Sequence, residues 1–219
     1  MILIAVLVPP TLVVNTFRLL ATDTFVRAEL GRNSFPSDRY GLPDDERERL
    51  ALVGLRSIEP GSEGIALLER ERLPDGSDAF TERELAHMDD VRVSFGALLR
   101  GQLVVLVGLV LLGVGLLRTR QRSLLPRGLL AGAFATLGVA ALAVPFVLLG
   151  FDRFFTRFHE IFFEGDSWRF STRDTLIRLY PEQLWQDVAI LAALLTVTQA
   201  VVLAFAARWW LRRTCAVTR

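Results

Sequence analysis

The amino-acid sequence predicts an all-α integral membrane protein. Four transmembrane helices are expected, with a mainly helical extracytoplasmic subdomain between the first and second and an interfacial aromatic segment between the third and fourth. Three observations carry this. Of 219 residues, 52% are apolar, and they are gathered in blocks. Residues 1 to 17, 101 to 117, 128 to 151 and 188 to 207 contain no charged side chain, and each run is near the roughly 20 residues that cross a hydrocarbon core of about 30 Å. None of the runs alternates polar with apolar positions, so helices, which satisfy their backbone hydrogen bonds internally, are expected and barrel strands are not.

In chain order the expected organisation is transmembrane helix 1 over residues 1–20, an extracytoplasmic subdomain over 21–95, and transmembrane helix 2 over 96–117. A cytoplasmic loop follows at 118–127, then transmembrane helix 3 over 128–151 and an extracytoplasmic interfacial segment over 152–187. Transmembrane helix 4 covers 188–208, leaving a cytoplasmic tail at 209–219. The first run is expected to be retained as an anchor, because it lacks the positive n-region of a signal peptide and Pro9-Pro10 interrupts it.

Charge sets the orientation. All 25 basic residues are arginine. The short loop carries Arg118, Arg120, Arg122 and Arg127, and the tail carries Arg208, Arg212, Arg213 and Arg219, with no acid in either. All 24 acidic residues fall between 21 and 95 or between 151 and 187. The positive-inside rule then places both termini in the cytoplasm and both acidic segments outside. Arg18 and Arg100 flank apolar runs at their outer ends, where a long side chain reaches headgroups and is a candidate contact for a lipid ester or phosphate. The basic residues are few per segment and read as topology signals, so no nucleic-acid partner is expected.

The single cysteine, Cys215, falls in the tail, so no disulfide is expected in the outer subdomain. At about 75 residues that subdomain is near the size where a core alone becomes marginal, and it is expected to rest on the membrane helices. Asp44 to Ile58 reads as a short surface helix ended by Pro60-Gly61, and residues 65 to 68 as an apolar patch. Leu73-Pro74-Asp75-Gly76 is a turn signal. Thr81 and Glu84, three apart ahead of Leu85 and Met88, form a capping box for a helix that runs on into the second span.

The chain has two histidines, His87 and His159, and both lie in the outward segments. Imidazole is the side chain whose ordinary pKa lies nearest neutrality, so these are the candidate groups for proton transfer. Eight residues separate His87 from Phe95, which at about 1.5 Å per residue stands the ring roughly 12 Å above the first membrane turn. Asp90, three residues on, is the candidate partner for that ring, and Glu84, three residues before, competes with it. Around His159, Phe151, Phe154, Phe155, Phe158, Phe162 and Phe163 recur at helical spacing, a stripe that wants lipid or core and that holds the imidazole partly out of water in its neutral form. Phe155, Phe162 and Trp168 are candidate lipid contacts. Trp168, Tyr180 and Trp185 also fit an interfacial belt.

The stretches Glu84-Leu85-Ala86-His87-Met88-Asp89-Asp90-Val91 and Phe158-His159-Glu160-Ile161-Phe162-Phe163, followed by Trp168-Arg169-Phe170 and Asp174-Thr175-Leu176-Ile177-Arg178-Leu179-Tyr180-Pro181, resemble a family of small bacterial integral membrane proteins. That family includes the lipoprotein intramolecular transacylase Lit, and the resemblance spans nearly the whole chain. It implies an enzyme that moves the sn-2 acyl chain of a diacylglyceryl-modified lipoprotein cysteine onto the α-amino group of the same cysteine. The family's two required histidines map onto His87 and His159. Diacylated lipoproteins and membrane lipid are the implied partners, and no cofactor or metal is expected.

Aminolysis of an ester by an amine of the same substrate needs no protein nucleophile, so an imidazole base with an electrophilic partner suffices. His87 backed by Asp90 is the first choice as base with His159 as partner, and the reverse assignment stays open. Two other readings stand beside this one. The histidines with Asp90 and Glu160 or Glu164 would make a zinc hydrolase, although no His-Glu-x-x-His spacing is present. Alternatively the outer domain binds a partner and the chain is a sensor or assembly factor.

Overall fold

The computed structural model describes residues 1–119, 121–163 and 165–216, without the side chains of 148 and 214–216. Arg120, Glu164, Arg219 and the thiol of Cys215 therefore lie outside the described residues. Within them the chain is helical, with one isolated bridge between Arg72 and Asp78 as its sole extended pairing. The helices are α1 (Ile2–Leu20), α2 (Asp23–Leu30), α3 (Asp44–Ser57), α4 (Ala66–Glu69), α5 (Glu82–Leu117), α6 (Leu124–Leu149), α7 (Phe151–Phe162), α8 (Thr175–Leu179) and α9 (Glu182–Ala216). Four of them, α1, α5, α6 and α9, are long and apolar enough to cross a bilayer, so the protein is a multi-pass membrane protein.

Two compact units are present. One comprises Met1–Arg18, Leu99–Gly150 and the residues from Ile190 onward. Its helices turn large apolar side chains outward, among them Leu103, Val104, Leu142 and Phe205, as lipid-facing surfaces do. Between helices, small residues let backbones approach. A Cβ added at Gly132 would lie 2.6 Å from Val8 Cβ, and one at Gly128 would lie 2.9 Å from Ile4 Cβ. This Gly-x-x-x-Gly spacing on α6 seats α1, whose Val8 and Ile4 are buried. Pro9 and Pro10 stay inside α1, since a spanning helix tolerates proline where neighbours restore the freed backbone groups. Polar side chains join α1 to α9: Thr16 and Thr196 share a hydrogen bond at 3.0 Å, and Gln199 Nε2 donates to Thr16 Oγ1 at 2.7 Å.

The second unit comprises Leu19–Leu98 and Phe151–Ala189. It has its own core, in which Leu50, Ala51, Leu68, Phe80 and Met88 from the first segment close on Leu176 and Leu179 from the second. The segment after α6 enlarges the core of residues 21–95. The surface helix expected from Asp44 is corrected. α3 buries Leu50, Ala51, Leu52 and Leu55, and even Arg47, whose Nε and Nη1 donate to the carbonyls of Arg178 at 2.7 Å and Pro36 at 2.6 Å. Apart from Arg56, its charges sit at 44–49, and the second half of the helix goes mostly to the core.

The turn at 73–76 closes as expected, with Gly76 N donating to Leu73 O at 2.8 Å and Gly76 at φ 86°, a conformation glycine adopts without strain. The helix-free stretch 31–43 is anchored by Asp38. Its carboxylate accepts from Tyr40 N at 2.9 Å, Leu42 N at 2.8 Å and both Nε and Nη2 of Arg178 at 3.0 Å. Burial opposes the charge on Asp38, but these donors outweigh it and hold the carboxyl down at about 2.

Candidate active site

The site begins with the cap of α5. Thr81 Oγ1 accepts from Glu84 N at 3.3 Å, while Glu84 Oε2 accepts from Thr81 N at 2.8 Å and Thr81 Oγ1 at 2.9 Å. This is the reciprocal capping box that the spacing predicts. The other oxygen, Oε1, accepts from Leu176 N at 2.8 Å, so the buried carboxylate also ties the start of α8 to the start of α5. One turn later stands His87, 9% exposed.

The second histidine comes from α7, which opens one residue after α6 ends. Phenylalanines at i+3 and i+4 pack along it with tilted rings: Phe154 on Phe151, Phe158 on Phe154, and Phe162 on Phe158, with centroids 6.3, 6.2 and 4.8 Å apart. Phe155 leans on His159 at 4.1 Å. The two imidazoles, 72 positions apart in the chain, face one another with centroids 6.4 Å apart and planes inclined by 24°. Trp168 stacks on His159 at 4.7 Å, Phe170 meets His87 edge-on at 5.3 Å, and Phe163 touches both, 4.9 Å from His87 and 5.5 Å from His159.

Carbon rings rather than carboxylates enclose the pair, and burial disfavours the charged imidazole. Burial first, and the neighbouring His159 second, push the pKa of His87 down to about 4. Burial also lowers that of His159, although the carbonyl of Phe155 pulls it partly back. That carbonyl lies 2.8 Å from His159 Nδ1. A carbonyl oxygen only accepts, so Nδ1 carries the proton and Nε2 of the neutral ring holds the free lone pair.

The carboxylates foreseen as partners are elsewhere, and the first expectation for His87 is corrected. Asp90 is exposed, Glu84 is occupied by Thr81 and Leu176, and His87 Nδ1 has no hydrogen-bond partner among the described residues. Glu160 pairs with Arg157 at 2.8 Å on the outer side of α7. Glu164 lies outside the described residues. Among the described residues no three His, Cys, Asp or Glu side chains converge as a metal site.

Of the candidate lipid contacts, Phe155 and Trp168 wall His159, while Phe162 points outward, 51% exposed. Arg18 and Arg100 belong to the other unit and are exposed, with no ion pair among the described residues. The belt reading of Trp168 and Tyr180 is corrected. Trp168 is buried against His159, and Tyr180 Oη donates to Ala51 O at 2.6 Å within the core. Trp185, 40% exposed, donates through Nε1 to Tyr180 O at 3.1 Å.

Three contributors had not been singled out as site residues. Phe163 lies four after His159, a spacing that marks a shared face. Arg83 lies four before His87 and offers the same signal. Phe170 carries no spacing signal, since a loop delivers it.

A family model described as lipoprotein intramolecular transacylase Lit matches residues 67–185, which contain both histidines and the loop between α7 and α8. The chain belongs to the Lit family. A relative in Aquifex aeolicus (strain VF5), described as an uncharacterized protein, is 31% identical over 188 residues, covering 86% of this chain and 83% of its own. The solved Lit of Bacillus cereus superposes with a TM-score of 0.76 at 15% identity, over 98% of this chain and 95% of that one. A variant of that Lit with one histidine replaced by alanine gives 0.66 at 20% identity, over 98% and 94%. The four-span, all-helical Lit architecture is thus shared.

Proposed function

We propose that this chain is a lipoprotein intramolecular transacylase, moving the sn-2 acyl chain of a diacylglyceryl-cysteine to the α-amino group of that cysteine. The observation that carries the reading is the facing pair of imidazoles in an aromatic enclosure, within the region that matches the Lit family. The arginine pattern supports an orientation with both termini cytoplasmic and the histidines outside. Lipoproteins and lipid are the partners, reached through Phe155, Phe162 and Trp168, with Arg18 and Arg100 at headgroup depth.

The chemistry follows from the two protonation states. The substrate's α-amine, with an ordinary pKa near 8, attacks the ester carbonyl in its neutral form and forms the C–N bond. His159 Nε2 takes the proton that nitrogen sheds, because Nδ1–H is engaged by Phe155 O. Neutral His87, too weakly basic to compete for that proton, donates an N–H to the oxygen that becomes negative. Collapse breaks the bond to the glyceryl oxygen, which receives the proton from His159. Amide and alcohol form, and both rings return to their starting state. One substrate holds amine and ester together, so proximity supplies much of the acceleration. Phe155, Trp168, Phe163 and Phe170 exclude water that would hydrolyse the ester instead.

The test is expression in a host whose lipoproteins are diacylated, with mass spectrometry of the N-terminal lipopeptide of a reporter. Conversion to the lyso form, abolished by His87→Ala and by His159→Ala, is the expected result. An unchanged lipopeptide with the protein present in the membrane overturns the reading.

A further inference from the structure

We propose that Arg83 is a positioning residue for the histidine pair: its guanidinium holds the loop that lays one aromatic ring against each imidazole. The activity part of this rests on the transacylase reading, whereas the geometric part does not. Arg83 stands in the first turn of α5, four residues before His87 and so one turn away on the same face. Its Nη2 donates to the carbonyl oxygen of Asp166 at 2.6 Å and to that of Arg169, and its Cζ lies 5.2 Å from the centre of the Phe170 ring. Between and beside those two carbonyls come Trp168, stacked on His159, and Phe170, edge-on to His87. One side chain therefore fixes the backbone that presents both rings.

The next residue holds the far end of the same stretch. Glu84 receives Leu176 N, so successive side chains at 83 and 84 grip the chain at 166–169 and at 176, in the turn that leads to His87. The two grips differ in kind. Glu84 is fully buried and belongs to the core, while Arg83 is exposed and sits outside it. A charged donor on two carbonyls is stronger than a neutral one, yet removing it leaves no buried charge behind. What loosens is the aromatic cover: water reaches the imidazoles, and their affinity for a proton climbs back toward that of a free histidine.

Because the chain has two histidines, a ¹³C-histidine NMR titration of the full-length protein in detergent resolves both. For Arg83→Gln both titration midpoints are expected to rise, by about half a unit or more. The kcat of acyl transfer is expected to fall about 10- to 100-fold, with KM changed by less than about threefold. Arg83→Lys, which keeps the charge but places its donors on one nitrogen without the planar fork, recovers part of both effects. Phe170→Leu serves as an independent variant, moving the His87 midpoint more than that of His159. Unchanged titrations in Arg83→Gln overturn the proposal, whatever happens to kcat. Should Arg83→Gln fail to fold, Arg83→Lys and Phe170→Leu decide by the same titrations. Should the wild-type protein transfer no acyl chain, the reaction reading fails, and the titrations alone settle the role of Arg83.

Discussion

His159 donates through Nδ1 to the carbonyl oxygen of Phe155, one helical turn earlier on α7, at 2.8 Å. The bond is local, made to a carbonyl four residues back within the same helix. It fixes the tautomer and, on the proposed mechanism, divides the labour of the two rings. Glutamine replacements separate the roles, because a side-chain amide donates a hydrogen bond but accepts no proton from an amine. His159→Gln is expected to lose as much kcat as His159→Ala, about 10²- to 10⁴-fold. His87→Gln keeps a donor and is expected to retain at least about tenfold more activity than His87→Ala. The opposite ranking of the two glutamine variants in a lipopeptide assay reverses the assignment of base and donor.

On the proposed mechanism the rate also carries the pKa of His159. Burial lowers it from the ordinary 6.5, the Phe155 carbonyl partly offsets this, and His87 on α5 faces it without charge. Catalysis needs a neutral base and a neutral amine. Below the amine's pKa of about 8, log kcat/KM should therefore rise with unit slope as pH increases. Below the His159 pKa, which lies under 6.5, the slope should steepen to two. A steepening that sets in above pH 6.5 would mean that burial does not govern this imidazole.

His87 makes stability depend on pH. Its folded pKa of about 4 lies below the ordinary 6.5, so between those values the unfolded chain binds a proton that the folded chain refuses. Its contribution is fully present above pH 6.5 and is lost as pH falls toward 4, with an upper magnitude of about 3 kcal/mol. His87→Phe fills a similar space without titrating. Its thermal midpoint in detergent should fall less between pH 6.5 and 4 than that of wild type, and equal slopes for the two proteins would sink the argument.

How much was legible in the sequence depended on whether one helix supplied the signal. The capping box at Thr81 and Glu84, the spans and the phenylalanine stripe are periodic features of single helices, and each has its counterpart in the structure. Asp90 failed as a partner because helical spacing says which residues share a face but not what that face meets. His87 turns to rings from α7 and its following loop, and Asp90 turns to solvent. The core role of α3 was hidden for a related reason. Its Arg47 is buried, and the backbone carbonyls of Pro36 and Arg178, distant in sequence, help make that tolerable.

In the membrane unit, the approach of α1 to α6 depends on residues without side chains. Gly132→Leu is expected to destabilise strongly, because even its first carbon would overlap Val8. Overpacking of this kind costs about 1–3 kcal/mol. Gly138→Leu is the control on the same helix, since nothing lies within 4 Å of an added Cβ there. Comparable melting temperatures for the two variants in detergent would show that the contact is not tight.

Gly54 and Tyr180 test the core packing of the second unit. Tyr180 Oη donates to Ala51 O at 2.6 Å, and a Cβ at position 54 would lie 2.3 Å from that oxygen and 3.3 Å from the ring carbon bearing it. Gly54→Ala therefore expels the hydroxyl, with an expected cost of about 1–3 kcal/mol. That figure also absorbs the gain of up to about 1 kcal/mol that alanine brings to a helix interior. Tyr180→Phe removes the hydrogen bond alone, at about 1 kcal/mol. In the double variant the hydroxyl that blocked the methyl is gone, so its cost should fall below the sum of the singles by about 0.5 kcal/mol or more. Strict additivity in a double-mutant cycle of chemical or thermal unfolding would place the two residues out of contact.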